Sequence, residues 1–249
     1  GKLFVNSGKV LTINSPSQVL AHTQQQVFDG TGTVSFTNGG IVSPGWWGFS
    51  SGGTAAANAD AYNACTASLT ATGGAIVIPP TGAAHQVDDT LTHPAKPMSV
   101  IGAHPELSII ESTATASPKH GLTFTRSHHV RNLTIKTSAS LASNYDMYGV
   151  RMDLDGVTVS GGNQAVKWES VKVRGFNNSF YCDGGDAYNV DRLYFNDLDA
   201  QCSGPASTYI GSCLYINRVT QVYGTHSQFD QNSTGEHAIY CFGSKNLVF

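Results

Sequence analysis

The amino-acid sequence predicts an all-β chain wound as a parallel β-helix, a solenoid, with a single α-helix near its start. Three observations carry this. A motif recurs through the second half at intervals close to one coil length, and short apolar runs alternate with turn residues along nearly the whole chain. The composition agrees: only 12% of the 249 residues are charged and 27 are Gly, against about 25% charge and about 7% Gly in an average domain. An aromatic content of 10% excludes a disordered chain. A chain of this length buries enough apolar surface to fold without disulfide or metal staples. With 14 Lys and Arg against 17 Asp and Glu, the net charge of −3 gives no general attraction to nucleic acid or to an anionic membrane surface. No apolar run approaches the ~18 residues of a membrane span. The start at Gly1, without Met or an apolar leader, is read as a processed or trimmed product.

Residues 1–48 are expected to form a small β-rich segment. Its strands lie around Leu3 and Val5, Val10 to Ile13, Val27 and Phe28, and Val34 to Phe36, with turns at Asp29-Gly30 and Asn38-Gly39-Gly40. Trp46 and Trp47, held between a Pro-Gly turn and Gly48, are read as an anchor onto the body rather than a sugar platform. Residues 49–249 are assigned to the β-helix. They open with the one helical pattern, about 54–70, in which Ala57, Ala61, Ala64, Cys65, Ser68 and Leu69 recur at three and four and Gly73-Gly74 ends the run. A stripe of such small residues suits a helix capping the open end of a sheet stack. Ala75 to Ile78 then read as a buried strand stopped by Pro79-Pro80, which cannot donate to a ladder. Strand and turn signals continue to Phe249, in mid-coil.

The repeat aligns HHVRNLTI, KWESVKV, NVDRLYF, YINRVTQV and GSKNLVF on Asn132, Ser170, Arg192, Arg218 and Asn246, at intervals of 38, 22, 26 and 28 residues. Apolar residues stand at matching offsets, Leu133, Val171, Leu193, Val219 and Leu247 among them. Intervals of this size with strand-like alternation fit one coil of a parallel β-helix. The long first interval implies an insertion between Ser138 and Gly149, or a short extra coil using Val157 and Val159. Five positions before the last four anchors stand Ala165, Ala187, Cys213 and Cys241, an expected inward ladder. Five Cys without metal spacing are read as buried free thiols. A disulfide between stacked Cys213 and Cys241 is geometrically conceivable. No metal or cofactor is expected.

From Ser43 to Glu111 the chain carries PGWWGF, the Ala-rich helix, GGAIVIPP and SVIGAHPELSIIES in succession. This succession resembles the N-terminal module of the pectate-lyase-like right-handed β-helix superfamily as found in bacteriophage tailspikes, and FDGTGTVSF ahead of it is similar to the β segment preceding the helix there. The resemblance spans roughly residues 28–115 by motif. It implies a right-handed β-helix in a virion tail protein, otherwise an extracellular one, that binds and cleaves a bacterial surface polysaccharide. It also implies a homotrimer among other tail proteins. The chain departs from the family in lacking paired acids before the helix, where Phe49 to Thr54 stand, and in lacking polygalacturonase and pectate-lyase signatures. A non-catalytic structural or glycan-binding virion module is therefore the alternative, and a secreted pectin-type lyase is less favoured.

Outward ladders are where a β-helix meets polysaccharide. Offsets of two and four after the anchors place Thr134, Lys172, Tyr194 and Thr220, then Lys136, Arg174, Asn196 and Val222, outward. Tyr194 would stack on a sugar face with Asn196 beside it, and Lys172 and Arg174 would take carboxylates. Glycoside hydrolysis needs two carboxyl groups about 5 to 9 Å apart, and Glu169 and Asp191, one position before their anchors, would stand in neighbouring coils. Asp197 and Asp199, with His226 one coil later, form a second candidate cluster. Asp183, Asp186, Asp230 and Glu236 read as turn acids, and Asp153 and Asp155 sit near the insertion. His128 and His129, adjacent on a strand, point to opposite faces and cannot easily share an ion. Asn132-Leu133-Thr134 and Asn232-Ser233-Thr234 fit the glycosylation sequon.

Overall fold

Short strands separated by Gly, Asn and Pro satisfy their backbones by pairing with the equivalent segment one coil away. The computed structural model describes residues 1–114, 120–138, 147–154, 164–187, 189–202, 211–231 and 237–249. Every strand pair among them is parallel. About seven turns stack as a solenoid, a parallel β-helix consistent with the right hand that crossover connections take.

The principal sheet runs through Gly40–Val42, Gly74–Val77, Met98–Ile101, His128–Thr137, Gln164–Arg174, Val190–Cys202, Val219–Thr225 and Leu247–Val248. The three longest strands continue past a bend and pair again, joined there by Ala84–Val87 and Ile109–Ser112 at one end and Gln228–Gln231 at the other. A six-stranded sheet, from Leu91–Thr92 to His237–Phe242, forms the other wall. The strand Gly40–Val42 lies within the segment the sequence assigns to residues 1–48, yet it pairs with Gly74–Val77 and is the first rung of the stack. Trp46 is buried and the Trp47 ring sits 5.0 Å from Phe28, as expected of an anchor.

The bend is a left-handed residue at one level of four successive coils, Asn132 (φ 57°), Ser170 (φ 49°), Asp197 (φ 53°) and His226 (φ 45°), while Arg218 (φ 52°) and Asn246 (φ 49°) are left-handed at other levels. The register stacks them, since Arg131 faces Glu169, Glu169 faces Asn196 and Asn196 faces Thr225. Asn, Asp and His are the non-glycine residues enriched in this region. Ser170 Oγ donates to Asp197 Oδ2 across the coils, 2.8 Å away. Asn132 and Ser170 align as the sequence predicts, but the third anchor does not. Ser170 meets Asp197, while Arg192 faces Ala165 on one side and Gln221 on the other. Both registers keep apolar residues inward, because the bend resets the strand's alternation, so patterning alone cannot choose between them. The corrections follow from this. Ala165 and Ala187 are exposed, Val222 is wholly buried, and Cys241 faces Ile216 rather than Cys213. All five Cys are free, four of them buried.

Inside, Val100, Val130, Trp168 and Phe195 stack in successive coils, and the next position is Gly224. A Cβ on Gly224 would lie 2.2 Å from the Phe195 ring, so the large ring takes the space of the missing side chain. The helix α1 spans Ala55–Ala67, shorter than the predicted 54–70. Thr54 Oγ1 accepts from Ala57 N at its start. It packs on Thr33–Phe36, Ala84–Val87, Leu91–Thr92 and the Pro44–Trp47 turn. Ala61, Cys65 and Leu69 are buried as expected, but Tyr62 and Asn58 are buried too and Ala57 is exposed. Most of the predicted insertion, together with Asp155, Val157, Val159, Asn232-Ser233-Thr234 and Glu236, lies outside the described residues. No helix among the described residues is long and apolar enough to cross a membrane.

Two buried imidazoles join the aromatic stack. His93 and His128 lie on either side of Phe124, with ring centroids 4.0 and 3.9 Å away. His93 Nδ1 donates to the Thr123 carbonyl, so its Nε2 accepts from the Tyr62 hydroxyl at 2.8 Å. His128 Nδ1 donates to the Arg126 carbonyl and Nε2 accepts from Trp168 Nε1 at 3.0 Å. Burial holds both neutral, pushing His93 down to about 4 and His128 to about 3. Unfolded, they titrate near 6.5. As pH falls below about 6.5 the unfolded chain binds protons that the fold excludes. Stability is therefore lost towards those folded values, by about 1.4 kcal/mol per pH unit for each imidazole. Urea midpoints between pH 7 and pH 4 should fall accordingly, and a flat or rising midpoint contradicts this account.

Candidate functional site

The bend divides the outer surface into two strips. Before it, His129, Lys167, Tyr194 and Tyr223 form one outward column and Arg131, Glu169, Asn196 and Thr225 the next. After it come Thr134, Lys172, Asp199 and Gln228, beside Lys136, Arg174, Gln201 and Asp230. Lys172 and Arg174 therefore do not share columns with Tyr194 and Asn196, as the sequence alignment expects. They lie across the bend, because the third anchor is displaced. Both cations are also engaged: Lys172 pairs with Glu106, and Arg174 with Asp199.

The strip before the bend holds the more developed site. The rings of Tyr194 and Tyr223 stack 5.1 Å apart at 12° and are 36% and 37% exposed. They border a groove of about 230 Å³ whose other walls include Lys167, Glu169, Asn196 and Thr225. Lys167 also lines the neighbouring groove, of about 320 Å³, together with Ser99 and His129. Thr225 Oγ1 and Asn196 Oδ1, 2.8 Å apart, close the far side.

Where the two grooves meet, Glu169 receives two donors. His129 Nε2 is 2.6 Å from Oε2 and Lys167 Nζ is 2.8 Å from Oε1. Burial pushes the Glu169 carboxyl up, but the hydrogen bonds from Lys167 and His129 outweigh it and hold the group below the ordinary carboxylate range. Burial pushes the His129 imidazole down, and the bond to Glu169 offsets this only in part. At neutral pH the pair is thus a carboxylate and a neutral imidazole. Nε2 donates to Glu169, which leaves the Nδ1 lone pair as a base.

The two-carboxyl pair expected from the sequence is not assembled. Gln164 faces Val190 and Ala165 faces Arg192, so Asp191 is the extra residue of a bulge and bonds its neighbour Arg192 at 3.1 Å. Glu169 faces Asn196 instead, five residues farther on, which separates the two acids by roughly 16 Å along the strand at a rise of about 3.3 Å per residue. Asp197 sits at the bend and accepts from Ser170, and Asp199 is held by Arg174. His226 occupies the same bend one coil after Asp197, close to its expected offset. Asp183 is a buried structural acid bound by Arg218 and Asn217. No group of three or more His, Cys, Asp or Glu suited to a metal ion occurs among the described residues.

Of the residues singled out in the sequence, the structure gathers Glu169, Tyr194 and Asn196, beside His129, Lys167 and Tyr223, which the sequence reading did not group with them. The signal was the bend residue following an inward side chain and an outward one, as in Trp168-Glu169-Ser170 and Phe195-Asn196-Asp197. No family model, curated protein or solved structure matches the chain.

The dyad makes a signed prediction. Because Glu169 raises the affinity of His129 for its proton, Glu169→Gln should lower the His129 pKa further, as read by NMR titration of the imidazole. A rise, or no change, would show that the two groups are not coupled.

Proposed function

We propose that the chain binds a bacterial surface polysaccharide along the grooves before the bend and cleaves it at His129 and Glu169, as a phage tailspike-type protein. The observation that carries this reading is the juxtaposition of a stacked tyrosine pair, in one groove, with a His–Glu–Lys cluster where that groove meets its neighbour. Amphipathic aromatic faces with a few convergent polar groups and shifted titratable residues are the marks of a ligand site. The motif resemblance supplies the tailspike type, with a homotrimer and virion neighbours as its expected partners.

The surroundings of Glu169 favour proton abstraction over hydrolysis by two carboxyl groups. Hydrolysis of that kind needs a second, protonated acid within about 5 to 9 Å, and Asp191, Asp197 and Asp199 are each placed or bonded elsewhere. In the scheme we propose, His129 Nδ1 takes the proton α to the carboxylate of a uronic acid unit, with Glu169 orienting the ring. The glycosidic C–O bond breaks as a C=C bond forms, and the departing oxygen takes a proton from water. Arg131, which faces Glu169 from the preceding coil, is the cation available to the sugar carboxylate.

Incubation with capsule and lipopolysaccharide panels tests this through the absorbance of unsaturated sugar ends. Tyr194→Ala and Tyr223→Ala should each weaken binding about tenfold or more, the scale of an aromatic hot spot, while leaving the circular dichroism unchanged. His129→Ala should abolish cleavage and retain binding. Binding without cleavage in the unaltered chain would establish the non-catalytic module instead. New reducing ends without unsaturated products would overturn the elimination chemistry.

A further inference from the structure

Two thiols meet in the interior where the strand Val190–Cys202 hands over to Ser212–Asn217. Cys202 Sγ and Cys213 Sγ are 2.9 Å apart and both side chains are buried, 1% and 0% exposed. Each sulfur also contacts a main-chain carbonyl, Cys202 that of Gly211 at 3.3 Å and Cys213 that of Asp230 at 3.2 Å. The other three cysteines are elsewhere in the fold: Cys65 on α1, Cys182 facing Ile216, and Cys241 on the next coil facing that same Ile216. Only this pair has sulfurs in contact among the described residues.

We infer that Cys202 and Cys213 are a built disulfide site, closed covalently when the chain folds in the presence of a small-molecule disulfide. The step balances by thiol–disulfide exchange. One cysteine sulfur, as thiolate, attacks the reagent and releases its first thiol. The second cysteine loses its proton and displaces the first from the mixed disulfide. Two protein S–H bonds become one S–S bond, the reagent disulfide is reduced to two thiols, and these carry the two protons. Either sulfur can be the attacking thiolate, since the exchange takes place as the chain folds, before both side chains are buried. The bond closes a short loop, the two residues being 11 apart in sequence, and limits the freedom of the unfolded chain accordingly. The inference does not rest on the glycan site.

The test is refolding of the full chain from denaturant in a buffer of reduced and oxidised glutathione, followed by alkylation and mass spectrometry. The expected product has three alkylated cysteines and a single bond mapped to the peptides of Cys202 and Cys213. Its urea midpoint should drop on reduction. Five alkylated cysteines in the natively refolded chain, or a bond joining any other pair, would overturn the inference. Two variants guard against failed refolding. A Cys65→Ser, Cys182→Ser, Cys241→Ser chain should form the bond and keep the midpoint shift. A Cys202→Ser chain should show no dependence of its midpoint on reductant, and a dependence equal to that of the unaltered chain would equally contradict the assignment.

Discussion

The structure depends on one constraint, the in-register parallel stacking of a left-handed bend residue in successive coils. A parallel ladder keeps its register between coils except where a bulge absorbs an extra residue. Any residue that turns the strand must therefore be matched by one that turns at the same level in the coils above and below. Asn132, Ser170, Asp197 and His226 do this, each in a backbone region costly for most side chains and least so for short polar ones. With these four aligned, Val130, Trp168 and Phe195 fall above one another inside, and Lys167, Tyr194 and Tyr223 fall above one another outside.

The site follows from the same alignment. Had the coils stacked on Arg192, Glu169 would have met Asp191, and the surface would have offered two like charges side by side. The actual register places Glu169 across from Asn196, while Lys167, two residues back on the same strand, and His129, on the preceding coil, reach its carboxylate. The bulge at Asp191 absorbs the extra residue that makes this possible. Past the bend, cations meet acids from a neighbouring coil, as Arg174 meets Asp199 and Lys136 meets Glu111.

Much of the fold was legible in the sequence. The parallel β-helix, the helix after Thr54, the anchoring tryptophans and the opposite faces of His128 and His129 follow from period, punctuation and side-chain size. The register of the third repeat was not legible from alternation, because a left-handed residue inside a strand resets which side the next residue faces. Val222 and Ala165 were misplaced as well, and Cys213 was matched with Cys241 instead of Cys202. Reading Ser170, Asp197 and His226 as one class of bend residue, rather than Ser170, Arg192 and Arg218, would have recovered the column of Tyr194 and Tyr223. The pairing of Cys202 with Cys213 connects two segments of one coil, which repeat alignment between coils does not address.

The register itself is open to direct measurement by engineered cross-linking in a chain whose five native cysteines are replaced by serine. Neighbouring parallel strands lie about 4.8 Å apart, within the Cα separation of about 4.4 to 6.8 Å that a disulfide spans. Glu169→Cys combined with Asn196→Cys should therefore close a bond under mild oxidation, and Glu169→Cys combined with Asp191→Cys should not. Cross-linking of the second pair and not the first would place Asp191 beside Glu169. That would contradict both the stacking of the bend residues and the site built on it.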